Sequence, residues 1–111
     1  MIPICYVFDG EAIYTPIDEK PKRLAPQRLK RLKNIRENPQ VSLVIDRYDE
    51  DWTKLGYVLA FGTARILSRG EKHRKAARLL RRKYRQYRSM AIQERLMIVI
   101  RPSRVITWGA L

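Results

Sequence analysis

Two β-type runs open the chain. In IPICYVFDGEAIYTPI, β-branched and aromatic residues flank Asp9-Gly10, a dipeptide suited to positive φ angles, so the stretch reads as a β-hairpin with a tight turn. Pro16 has no N–H to donate and is expected to end the ladder of the second strand. DEKPKRLAP is a loop punctuated by Pro21 and Pro26. From Pro26, a residue at home in the first turn of a helix, Leu29, Leu32 and Ile35 recur every three positions and lay down one helical stripe. Asn38-Pro39 stops that helix, because the residue before a proline is pushed out of the α region.

Period two then returns. VSLVIDRY reads as a strand with Val41, Leu43 and Ile45 on one face, and DEDW as an acidic loop. GYVLAFGTARILS is the longest strand candidate. Gly62 in its middle predicts a bulge or the close approach of another backbone or ligand. From Glu71 to about Arg88 a helix is expected, with Ala76, Leu80, Tyr84 and Tyr87 on its apolar face and Arg74, Arg78, Arg81, Arg85 and Arg88 opposite. RLMIVIRPSRVITW closes the pattern as two short strands bent at Pro102. Short links between most neighbouring strands favour an antiparallel sheet, curled into a small barrel, with two helices: a mainly β fold.

A chain of 111 residues, 45% of them hydrophobic, is one domain over residues 1–111 with a modest core, and a dimer interface would help such a chain bury surface. The single cysteine, Cys5, lies in an apolar run far along the chain from the only histidine, His73, and reads as an inert buried thiol in a reducing compartment. One His and one Cys are too few for a protein-only zinc site, so no metal is expected. No signal peptide opens the sequence and no apolar run approaches the ~20 residues that span a bilayer, so a soluble cytoplasmic protein is the expectation.

Charge changes the picture most. Lys and Arg number 24 against 11 Asp and Glu, a net charge of +13 that calls for anionic partners. Eight of these bases lie between Lys20 and Arg36, and ten between Arg69 and Arg88. The second group is a regular stripe on an amphipathic helix, which serves as a solvated face or as a surface for acidic partners or nucleic acid. The first wraps the start of a short helix, where free N–H groups and the helix dipole suit one compact phosphate. Both readings stay open on composition alone, since basic helix faces are common.

The segments IYT, LKRLKNIRENPQVSLVI and VLAFGTARIL, taken together, resemble the pyridoxamine 5′-phosphate oxidase-like superfamily of flavin-binding split barrels. More narrowly, they resemble its small bacterial deazaflavin-dependent oxidoreductases. The resemblance runs over nearly the whole chain from Ile2, and it implies an antiparallel FMN-binding split barrel that lacks the usual first strand. It further implies a homodimer with the cofactor at the interface. By resemblance, Tyr14 and Thr15 match strand-end positions that contact the cofactor phosphate, and Lys30 and Arg31 match the basic pair opening the next helix, in reversed order. Asn34 and, from the KPK of the narrower branch, Lys22 join them, while Trp108 matches a tryptophan beside the flavin. FMN is the cofactor implied first, the deazaflavin coenzyme the alternative.

The chain departs from the true oxidases in three ways. It begins at a point where the family has already formed a strand. Pro3 and Phe8 stand near positions that carry an Arg and a Lys in the oxidases, and Tyr57 sits about where they use a glutamine. It also stops at Leu111, before their basic substrate-binding tail. The expectation is therefore an oxidoreductase that transfers hydride to a small substrate other than pyridoxamine phosphate, with no catalytic side chain assigned, since the cofactor carries the redox chemistry. Two rivals remain: a flavin-binding storage module without turnover, and a basic nucleic-acid-binding protein.

Overall fold

The computed structural model describes residues 4–17, 26–47 and 50–109. Its five strands are β1 (Val7–Phe8), β2 (Ile13–Pro16), β3 (Gln40–Arg47), β4 (Gly56–Leu67) and β5 (Met97–Gly109), and its two helices are α1 (Pro26–Glu37) and α2 (Glu71–Lys83). The strands form one antiparallel sheet in the order β1-β2-β5-β4-β3, so the last strand in the chain lies at the centre.

Both faces of the first part of β5 are covered, which explains why Met97–Ile100 is an unbroken apolar run rather than an alternation. Along β5, Met97 and Val99 turn towards α2 and pack with Tyr14, Ala76, Ala77, Leu80, Tyr87 and Ile92. Ile98 and Ile100 turn the other way, and with Ile13, Ile17 and Ala64 they receive Leu32 and Ile35 of α1. One strand thus holds two half-cores together. Cys5, expected to be buried, is only half-buried at the margin of the α2 cluster.

The opening hairpin forms with a longer turn than its sequence predicts. Val7 pairs with Tyr14 and Phe8 with Ile13, leaving Asp9 to Ala12 as the loop. Gly10 takes φ 100°, as the Asp-Gly dipeptide requires, but the loop is organised by the Asp9 carboxylate. It accepts the N–H groups of Glu11 and Ala12 at 2.9 and 2.8 Å and the Tyr14 hydroxyl at 3.1 Å, and it faces Lys75 at 3.5 Å. Burial raises the pKa of Asp9, but the two backbone N–H groups, Tyr14 and Lys75 outweigh it and hold the carboxyl at about 2. The same burial, with the Asp9 charge beside it, pushes the Tyr14 phenol up. A carboxylate depressed in the folded state stabilises the fold above its ordinary pKa and ceases to do so as it protonates. Stability should therefore fall as pH drops from 3.8 towards 2, and the Asp9→Asn variant should lose this part of the acid titration in denaturant melts.

Three further differences from the sequence pattern have local causes. First, α2 ends at Lys83, with Tyr84 extended at φ −117°, and the remaining stretch is a 3-10 turn, Arg85–Arg88. The Tyr84 hydroxyl donates to the Tyr6 carbonyl at 3.2 Å and accepts the Tyr6 N–H at 3.1 Å, and this tie to the residue just before β1 overrides the helical pattern. Second, Arg88 does not continue a surface stripe but donates its Nε–H to the Arg81 carbonyl at 3.2 Å, satisfying a helix-end acceptor. Third, the two short strands expected around Pro102 are the single strand β5. The bend is absorbed by a register shift opposite Phe61 and Gly62, where Ser103 is the extra residue. Gly62 is where the backbones converge, as its position predicted: a Cβ there would lie 2.3 Å from the Arg101 carbonyl oxygen.

Candidate functional site

Helix α1 sets the site. Leu32 and Ile35 fix its apolar side against the sheet, and this turns Lys30, Arg31, Asn34 and the following Asn38 along one edge, because positions four apart stack on a helix. The edge borders a cavity of about 590 Å³, whose other walls are Gln40 to Leu43 of β3 and whose apolar lining includes Ile98 and Ile100 of β5. Its rim is pinned where the chain turns from α1 into β3. The Asn38 N–H donates to the Asn34 carbonyl at 2.8 Å, Asn38 Oδ1 accepts the Gln40 N–H at 3.2 Å, and the Ala64 N–H donates to the Pro39 carbonyl at 2.7 Å.

The donor set of this cavity is one-sided in charge. An ammonium, a guanidinium and the amides of Asn34 and Asn38 line it, and none of its lining residues carries a carboxylate. The remaining walls are aliphatic. Such a volume matches small-molecule sites, and such donors match a phosphate: Arg can grip two oxygens in a plane while Lys supplies a mobile point charge. Lys33, the next base on α1, faces elsewhere and pairs with Glu37 at 3.9 Å; with the side chains 74% and 64% exposed, that pair contributes little.

The sequence-derived residues divide accordingly. Lys30, Arg31 and Asn34 are brought to one rim. Thr15 is buried and lies opposite Ile98 across the β2–β5 ladder, on the α1 face but outside the cavity lining. Tyr14, its neighbour, necessarily points to the other face, where its hydroxyl is held by Asp9. Trp108 is 55% exposed at the far end of β5 and stacks on Tyr57 at 5.7 Å between ring centroids. It lies about 25 Å along the strand from Ile100 at ~3.3 Å per residue. Lys22 falls outside the described residues. Asn38, Gln40 and Ser42 were not singled out from sequence. The signal for Asn38 was its spacing of four from Asn34, masked by the role of Asn38-Pro39 as a stop.

Among the described residues no cluster of His, Cys, Asp and Glu could hold a metal ion, and no helix is long and apolar enough to cross a membrane. His73 is 1% exposed, and its Nε2 lies 2.6 Å from the Arg95 carbonyl, where the ring N–H donates.

Comparison with known proteins adds a family and a fold. The family profile described as pyridoxamine 5′-phosphate oxidase matches residues 1–109. Among solved structures, the conserved hypothetical protein Rv2991 from Mycobacterium tuberculosis is similar at 20% identity and TM-score 0.67, over 94% of this chain and 64% of that one. HutZ, the heme storage protein from Vibrio cholerae, is similar at 11% identity and TM-score 0.64, over 96% and 72%. A protein of unknown function from Agrobacterium tumefaciens is similar at 14% identity and TM-score 0.63, over 97% and 44%. The chain thus spans less than two thirds of the Mycobacterium protein's length. At these identities the likeness carries the fold, an antiparallel split barrel. No curated protein matches the sequence.

Proposed function

The chain belongs to the pyridoxamine 5′-phosphate oxidase family, and from that premise we propose that it binds FMN, with the α1–β3 cavity taking the phosphate end, and serves as an oxidoreductase towards a small substrate. One observation carries the reading: Lys30, Arg31 and Asn34 meet at one rim of a roomy cavity with an apolar lining and no carboxylate. That donor set fits a phosphate monoester. Lys30 and Arg31 would neutralise it, and the side-chain amides would fix its orientation through directed hydrogen bonds. Bound there, the flavin supplies the hydride chemistry, and the protein supplies orientation and charge. The deazaflavin coenzyme, whose longer tail is acidic, is the alternative on the same site.

A second copy of the chain belongs to this proposal. Val44, Tyr57, Phe61 and Trp108 share one face of β3–β4–β5 beyond the cover of α2 and stand 37% to 55% exposed. An apolar face of that kind supports a homodimer, with Trp108 of each protomer brought to the interface.

A haem-storage role, as the Vibrio cholerae neighbour's name describes for that protein, has less support. The chain has one histidine, and its ring is buried and committed to the Arg95 carbonyl. The basic face of α2 keeps nucleic acid as a rival, and salt separates the two: many phosphate contacts give an affinity that falls steeply with salt.

The visible spectrum of the purified protein, with heat release and identification of any chromophore, is the direct test. A yellow protein releasing FMN or a deazaflavin, or a colourless one that binds either on titration, supports the proposal. A protein that binds neither removes it. Reduction of the bound cofactor by NAD(P)H then separates an oxidoreductase from a storage module.

A further inference from the structure

On the opposite face of the sheet from the α1–β3 cavity, four residues of three different elements surround a smaller cavity. Thr63 and Arg65 of β4, Arg101 of β5 and Lys72 in the first turn of α2 line about 370 Å³, with Val99 as the apolar member. The sheet register makes the grouping obligatory. Thr63 lies directly opposite Arg101 and Arg65 directly opposite Val99, so all four side chains emerge on the α2 face, with Arg65 and Arg101 as diagonal neighbours.

Three cations therefore share one concavity. No carboxylate lines it, and among the described residues Arg65, Lys72 and Arg101 make no ion pair and no side-chain hydrogen bond. Glu71, next to Lys72, is not among the lining residues, and the N-cap of α2, Gly70, offers no side-chain acceptor to the first-turn amides. Like charges on adjacent positions of a sheet face repel, and no carboxylate lines the cavity to offset this. An anion placed among them would do so, at a point where Thr63 offers a hydroxyl.

We infer that this cavity is a second anion site, for a compact dianionic oxyanion of the phosphate monoester class carried by a small molecule. It is independent of the cofactor reading: the sheet separates the two cavities, and no residue lines both. Guanidinium and ammonium donors converging from two strands and a helix suit a tetrahedral dianion better than a monovalent halide.

The test titrates inorganic phosphate into the full chain at constant ionic strength, balanced with chloride, and follows backbone amide shifts by NMR. The expected result is saturable movement of amides around 63–65, 72 and 99–101, separate from any around 30–42. In Arg65→Gln/Arg101→Gln the dissociation constant for the first set rises at least tenfold while the second set is unchanged. Lys72→Gln, on the helix, gives a smaller rise and guards against a strand-specific effect of the double change. Lys30→Ala/Arg31→Ala leaves the first set saturating as before, so a failed cofactor site and a failed second site give different patterns. The inference is overturned if only amides of 30–42 respond, if chloride alone moves the first set equally, or if Arg65→Gln/Arg101→Gln binds as the parent does.

Discussion

Replacing Lys30 and Arg31 together by alanine should weaken FMN binding by about 3–6 kcal/mol, at ~1.5–3 kcal/mol for each charge-assisted hydrogen bond removed. That is a loss of more than about a hundredfold, visible in a fluorescence or calorimetric titration. The fold should survive. Lys30 is exposed, and neither side chain belongs to the two apolar clusters, so the far-ultraviolet spectrum and the melting temperature serve as internal controls. Arg31→Lys, which keeps the charge but loses the planar fork, should fall between the parent and the double variant if the contact is bidentate. Equal affinity in the parent and the double variant would locate the phosphate elsewhere and remove the central claim.

Leu80→Ala should cost about 2–5 kcal/mol of folding free energy, towards the upper half of that range. Leu80 is fully buried at the centre of the cluster between α2 and the sheet. Its helical neighbours Ala76 and Ala77 are too small to swell into the space a truncation leaves. The helix cannot easily settle inward either. The Arg81 guanidinium holds the Met90 carbonyl at 3.3 Å beyond its C-terminal end, and Tyr84 is tied to Tyr6. A cavity that cannot collapse keeps its full penalty. Urea denaturation should show a lowered midpoint at unchanged slope. A loss below about 1 kcal/mol would mean that α2 is not seated on the sheet as described.

Much of the fold was legible because single residues forced it. Asp9-Gly10 marked the hairpin, Asn38-Pro39 the end of α1, and Gly62 the point where β5 crowds β4. What the pattern missed lay in contacts between distant segments. Nothing near Tyr84 shows that its hydroxyl reaches back to Tyr6, 78 positions earlier, so the helix was extended too far. Pro102 looked like a break because a bulge that absorbs it needs the opposite strand to be seen. The site divided the same way. Lys30, Arg31 and Asn34 lie within one helical turn or so and are read together. Tyr14 and Thr15 were paired as one motif, although adjacent residues of a strand face opposite sides. Arg65, Lys72 and Arg101 come from three elements, and only the register assembles them.

The central position of the last strand has a consequence in time. Every stable pairing of β2, and the docking of both half-cores, depends on residues 97–100, which are synthesised more than eighty positions after Ile13. The opening hairpin therefore waits as an isolated two-stranded ribbon, too small to persist in water, until β5 has left the ribosome. Closing so long a loop is slow, because its entropy is lost before the contacts form. Assembly of the sheet thus includes a wait for β5 to be made. For its duration the apolar stretch from Tyr57 to Leu67 stands exposed with only β3 as a partner.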